Sequence, residues 1–208
     1  IRHISIIHHA NIVEQVEARG GRVIVDEIYH GLTYEGSAAT ALALSDNVFV
    51  VNSFSKYFGM TGWRLGWLVA PSDYVRDAEK IAQNLFLAPS TPAQYAALAA
   101  FSPQALAIFE ARRQAFQARR DFLLPALRDM GFGIPLAPAG AFYLYADCSR
   151  FTDDSYQFAF NLLEQAGVAI TPGVDFGHHA AARHVRFAYT NSLDKLNEGV
   201  RRLREAVG

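Results

Sequence analysis

Within SFSKYFGMTGWRLGW, residues 53–67, one lysine, Lys56, stands among serines, glycines and aromatic rings, and one arginine, Arg64, follows eight positions on. A lysine on a solvated face has charged neighbours, whereas Ser53, Phe54, Ser55, Tyr57, Phe58 and Gly59 surround this one. Removal from bulk water favours the neutral amine, which is the nucleophilic form. Upstream, RVIVDEIY (residues 22–29) ends in a carboxylate, Asp26, and a phenol, Tyr29. The set comprises an acid, a phenol, two hydroxyls (Ser53 and Ser55), an amine and a guanidinium.

A pyridoxal phosphate cofactor would use all of them. Its aldehyde takes an amine nucleophile, and its ring nitrogen stays protonated beside a buried carboxylate. Its phenolic oxygen takes a donor, and its phosphate takes hydroxyls and a bidentate arginine. Lys56, Asp26, Tyr29, Ser53 and Arg64 supply these in turn. Singly, each has a plainer explanation: an Asp or Tyr at a strand end caps a turn, a lone lysine lies on the surface, and a lone strand arginine such as Arg186 pairs with an acid. Their joint occurrence in one chain reverses those defaults.

The surrounding elements suit a crevice at the carboxyl edge of an open α/β sheet, where ligands bind. NIVEQVEARGG (11–21) predicts an amphipathic helix ending in glycine, while RVIVDEIY (22–29), NVFVVNSFS (47–55) and LGWLVAP (65–71) predict strands. Ser72 is placed to cap a helix bearing Val75, Ala78, Ala82 and Leu85 on one face. PAQYAALAAF (92–101) predicts a small-residue helix, and the charged pattern of residues 103–130 a long one that Pro125 should kink. Beyond Gly131, strands are expected at 140–147, 168–171 and 185–190, with helices at 154–167, after Asp153 and Asp154, and after a Ser192 cap. The organisation predicted is a partial α/β cofactor-binding domain (1–102), a connecting helix (103–130) and a small α+β domain (131–208).

The formal net charge of -1 argues against a nucleic-acid or membrane-surface partner, and 51% hydrophobic residues are enough for a packed core. The lone cysteine, Cys148, forms no intrachain disulfide, which suits a reducing, cytoplasmic setting. His3, His8 and His9 lack the accompanying ligands of a metal site, and the adjacent His178 and His179 fit a loop. Phe142, Tyr143 and Tyr145 suit a core or strand face. The opening IRHISIIHHA (1–10) matches neither a signal peptide nor a well-formed helix.

VIVDEIYHGLTYEG (23–36), SFSKYFGMTGWRLGWLVAP (53–71), PAGAFYLY (138–145), TPGVDFG (171–177) and VRFAYTNS (185–192) together resemble the pyridoxal-phosphate-dependent aminotransferases of class I/II. These are fold type I, aspartate aminotransferase-like enzymes. The resemblance implies that Lys56 binds the cofactor and shuttles a proton between substrate and cofactor carbons. It implies that Asp26 pairs with the ring nitrogen and Tyr29 with the phenolic oxygen. Ser53 and Arg64 would hold the phosphate, with Ser55 behind them, and Arg186 the substrate α-carboxylate. The implied activity moves an amino group between an L-amino acid and a 2-oxo acid, in a homodimer.

The resemblance covers the C-terminal half of a family chain. In the family the preceding half adds a phosphate loop, an aromatic ring over the cofactor and an asparagine on its phenolic oxygen. The expectation is therefore a portion of a longer enzyme, or a natural truncation, with open sheet edges and an uncovered apolar face. One rival keeps the cofactor but runs a β-eliminating lyase or decarboxylase reaction, which a lyase would betray by releasing pyruvate and ammonia without a 2-oxo acid. The other is an inactive remnant that folds or associates without catalysis. Aspartate, alanine and aromatic amino acids all suit the residues present.

Overall fold

The structure, a computed structural model, describes residues 6–36 and 38–208, with side chains from Ala10 onward. The chain divides into two compact units, one ending at Arg113 and the other comprising Gln114–Gly208. The long helix α4 (Pro103–Met130) contributes to both and continues through Pro125.

In the first unit, helix α1 (Ile6–Glu17) precedes strand β1 (Val23–Asp26), the left-handed Gly20 (φ 73°) allowing the reversal between them. Strand β2 (Val48–Ser53) runs parallel to β1, with Val23 opposite Val48 and Asp26 opposite Val51. Strand β3 (Gly66–Val69) adds antiparallel to β2, giving the order β1-β2-β3. Alternation splits the sheet into two faces. Val48 and Val50 are buried with Val13 and Ala41, and Val23 and Val25 pack on them. On the opposite face Ile24 is 71% exposed, and Val51 and Leu68 are exposed beside it. Helix α2 (Ser72–Phe86) has no buried residue despite its apolar stripe. A second core joins Phe54 and Met60 to Ala97 and Ala100 of α3 (Thr91–Ala100) and to Phe109 of α4.

In the second unit, β4 (Tyr143–Asp147), β5 (Thr171–Pro172) and β6 (His184–Ala188) form an antiparallel sheet in the order β4-β6-β5. Leu144, Ala146, Val185 and Phe187 point into a core shared with Leu123, Leu124 and Leu127 of α4 and with Leu196 and Leu203 of α6 (Leu193–Val207). The Asp154 carboxylate caps α5 (Ser155–Asn161) by accepting from the Tyr156 and Gln157 amides, and the Ser192 hydroxyl caps α6 by accepting from the Lys195 amide.

Three local expectations fail. Helix α1 begins at Ile6, because propagation from an existing turn admits residues of modest helix propensity. Ser72 opens α2 instead of capping it: Pro71 precedes the helix, and the Ser72 hydroxyl turns to Asp73. The strand expected at 168–171 is reduced to β5, because the Val168 amide donates back to Leu162 O (3.1 Å) at the end of a π-turn, over left-handed Gly167. His3 lies outside the described residues, and so do the side chains of His8 and His9. Among the described residues no group of metal-binding side chains occurs, and no helix is long and apolar enough to cross a membrane.

Cys148 is fully buried, and burial pushes its thiol up from an ordinary 9.0 to about 11. The folded state therefore keeps a proton that the unfolded chain releases, so stability falls as pH rises through that window. At pH 8 a thiol reagent should modify Cys148 only as fast as the chain opens. Rapid stoichiometric labelling of folded protein would contradict this burial.

Candidate functional site

Because β1 and β2 are parallel, their carboxyl ends lie at one edge of the sheet. There the Asp26 carboxylate turns the chain: its Oδ1 accepts from the Ile28 amide at 3.0 Å, and the Glu27 amide still donates to Val51 O at 2.9 Å. The His30 amide donates to Glu27 O, and the Leu32 amide to Tyr29 O, so residues 27–32 form a tight turn. Asp26 is exposed rather than the buried carboxylate expected, because it shares the uncovered sheet face with Ile24. Tyr29 is half-buried, and the Lys56 ammonium stands over its ring, 5.9 Å from the centroid.

Lys56 rides on a loop closed at both ends. Ser53 faces Gly66 across the β2–β3 ladder, and the Phe54 amide donates to Leu65 O at 3.0 Å. Phe54 and Met60 are buried at the base of the loop, joined by the Met60 amide on Phe54 O (2.9 Å). The Gly59 amide donates to Lys56 O, and the Thr61 hydroxyl to Ser55 O at 2.7 Å. Gly66 is required here, since a Cβ would stand 2.6 Å from Asn52 O. The Ser53 hydroxyl accepts from the Ser55 amide at 3.0 Å and lies 2.9 Å from the Ser55 hydroxyl. Arg64 adopts the left-handed conformation (φ 52°), and its guanidinium donates to Thr61 O at 2.9 Å.

Asp26, Tyr29, Ser53, Ser55 and Lys56 thus gather at the ends of β1 and β2. Arg64 belongs to the same hairpin, but its exposed guanidinium touches none of them.

Arg186 lies in the second unit, on the β6 face opposite the core. Tyr145 stands across from it on β4, and Thr171 across from it on β5. Its guanidinium is flanked by the Phe176 ring at 4.7 Å and the Tyr143 ring at 5.5 Å, and Nη2 donates to the Thr171 hydroxyl at 3.3 Å. Its Nε is buried without a hydrogen-bond partner, and Arg186 pairs with no carboxylate among the described residues. Burial raises the pKa of the Tyr143 hydroxyl, with the Arg186 charge opposing. A planar cation fixed between rings with an unsatisfied N–H suits a planar anion.

Over residues 7–203 the sequence matches the family described as aminotransferase class I and II. The chain belongs to this family. It is 42% identical over 197 residues to valine–pyruvate aminotransferase of Mycobacterium tuberculosis, covering 93% of this chain and 50% of that protein. It is 36% identical over 189 residues to aspartate/prephenate aminotransferase of Thermus thermophilus, covering 89% and 48%. The crystal structure of an aminotransferase from Mycobacterium tuberculosis superimposes with a TM-score of 0.93 at 40% identity, over 98% of this chain and 53% of that one. The chain therefore spans about half the length of the relatives it matches.

Class I and II aminotransferases use pyridoxal phosphate, and the groups of the first unit fit it in kind. The cofactor asks for an amine, a carboxylate, a phenol and hydroxyls, and each stands at the β1–β2 edge. Sequence reasoning overlooked Glu27, buried behind the Asp26–Tyr29 turn, and Thr171 and Phe176 beside Arg186. The signals were present: an acid within an otherwise apolar stretch, and cross-strand partners that share one face. Tyr143 was assigned to a strand face, which it occupies while also walling Arg186.

Gly66→Ala should force β3 away from Asn52 and lower stability by about 1–3 kcal/mol in denaturant unfolding. Unchanged stability would mean that the ladder yields to the added methyl.

Proposed function

We propose that this chain is part of a pyridoxal-phosphate-dependent aminotransferase that moves an amino group between an L-amino acid and a 2-oxo acid. In this reading residues 1–102 belong to a cofactor-binding domain, 103–130 connect, and 131–208 form the small domain. The observation that carries it is Arg186, a half-buried cation held between two rings with a buried N–H unpaired and, among the described residues, no acid paired with it. Such a group is costly unless an anion arrives, and every amino acid and 2-oxo acid carries a carboxylate next to its reacting carbon.

When bound, pyridoxal phosphate supplies an aldehyde that captures amines and a protonated ring that withdraws electrons. Lys56 presents the amine that holds the cofactor and then moves the proton at the substrate α-carbon. Asp26 holds the proton on the ring nitrogen. The Tyr29 hydroxyl donates to the phenolic oxygen, while Ser53, Ser55 and Arg64 bind the phosphate. Arg186 would hold the substrate α-carboxylate as a planar fork.

The family-wide fork at Arg186 grips any amino acid, so side-chain choice belongs to other surfaces. A homodimer accords with the exposed apolar side chains of α2 and α3, among them Ile81, Leu85, Tyr95 and Leu98. A cytoplasmic setting accords with a single buried thiol.

Only three lysines are present, Lys56, Lys80 and Lys195, which simplifies the test. Borohydride reduction with pyridoxal phosphate should fix the cofactor on Lys56, and Lys56→Ala should abolish that label. Label spread equally over the three lysines would refute the assignment.

A second measurement concerns the fork. Arg186→Ala should weaken calorimetric binding of a 2-oxo acid by about 1.5–3 kcal/mol, the range for a hydrogen bond to a charged group. An equal affinity in the variant would remove Arg186 from the substrate site.

A further inference from the structure

Glu27 is the one buried carboxylate among the described residues, 5% exposed. Its Oε1 accepts from the Ala41 amide at 2.7 Å and from the Thr40 hydroxyl at 3.0 Å. Its Oε2 lies 3.2 Å from His30 Nδ1. The Thr40 hydroxyl in turn accepts from the Leu42 amide, capping the short 3-10 turn Ala41–Ala43. One carboxylate therefore joins three donors from two segments, the turn at the end of β1 and the start of residues 40–43. A carboxylate withdrawn from water persists only when its lone pairs are filled in this way.

The position of this group matters. Asp26 precedes it in the chain, Tyr29 follows two residues later, and the Tyr29 ring stands against the Lys56 ammonium. Glu27 itself faces away from these groups, toward Thr40 and His30.

We propose that Glu27 is a positioning residue: its buried carboxylate locks the turn carrying Asp26 and Tyr29, and so sets where the Tyr29 ring stands against the Lys56 amine. The consequence for cofactor binding rests on the function proposed above, whereas the geometric claim stands apart from it. Glu27→Gln keeps the length of the side chain but places an N–H₂ where an acceptor was. Whichever way the amide turns, the Ala41 and Thr40 donors or the His30 side must face a donor unless the ring changes tautomer.

The test uses the 208-residue chain with its three lysines labelled at the ε-carbon, without cofactor. A lysine held over an aromatic ring has ε-methylene protons shifted upfield. The Lys56 signal should be shifted relative to Lys80 and Lys195, and Tyr29→Leu should remove the shift. In Glu27→Gln the Lys56 signal should move toward the other two, while theirs and the far-ultraviolet circular dichroism stay as in the wild type. Should Glu27→Gln fail to fold, Thr40→Val, which deletes one donor of the three, should move the Lys56 signal in the same direction by less. A folded Glu27→Gln with the wild-type Lys56 signal overturns the proposal, as does an unmoved signal in Thr40→Val if that variant has to decide.

Cofactor is then added and reduced with borohydride. Below saturation the label on Lys56 should drop about tenfold in Glu27→Gln, the loss of one charged hydrogen bond's worth of affinity. If wild-type protein takes no label, the cofactor reading fails, and the ring-current result still decides the role of Glu27.

Discussion

Asp26 stands opposite Val51 in a parallel ladder, and the chemistry of the first unit follows from that register. Parallel strands deliver their carboxyl ends to the same edge, so the turn after β1 and the loop after β2 are neighbours, and the Lys56 ammonium reaches the Tyr29 ring. A shift of one residue in this pairing would exchange the faces of β1, placing Ile24 and Asp26 inward and Val23 and Val25 outward. The valines prevent it. Val23, Val25, Val48 and Val50 gather on one face against Val13 and Ala41, and a slip would put a carboxylate in that core. The hydrophobic pattern of two short strands thereby fixes where an acid, a phenol and an amine meet.

The loop that carries Lys56 is held by other means. It leaves β2 at Ser53 and returns at Gly66, so the ladder closes its neck, while Phe54 and Met60 sink into the core formed with α3 and α4. Burying two such side chains contributes about 1.5–3 kcal/mol each, which offsets much of the entropy lost in ordering the residues between them. Lys56 and Ser55 lie between these anchors, and Ser55 is fastened further by Thr61. Glycine is needed twice, at Gly66 for space against the Asn52 carbonyl and at Gly59 for a left-handed turn (φ 68°). The polar residues are positioned by apolar neighbours, which explains the unusual texture of the segment around the lysine.

The strands and helices that decide the architecture were legible because their signals are local. Valine runs stopped by polar groups marked β1 and β2, and the long charged pattern marked α4 from Pro103 to Met130. The Asp154 and Ser192 caps were legible for the same reason. What escaped depends on partners distant in the chain. Ser72 has the right residue type for a cap, but Pro71 already sets the helix start. The late start of β5 depends on a bond from Val168 to Leu162, which no strand propensity encodes. Glu27 was overlooked beside Asp26, and only the approach of Thr40 and Ala41, more than a dozen residues on, makes it a buried hub. Asp26 was expected to be buried, and its exposure follows from the sheet face it shares with Ile24.

The two units hold a cation against aromatic rings in different ways. In the first, the Lys56 ammonium stands over the Tyr29 ring, on a loop that also carries the Ser53 and Ser55 hydroxyls. In the second, Arg186 is walled by Phe176 and Tyr143, whose ring faces attract a cation without neutralising it. A carboxylate in place of either ring would pair with the guanidinium and neutralise it. Aromatic walls hold the guanidinium in place, Nη2 donates to the Thr171 hydroxyl, and Nε stays buried without a partner.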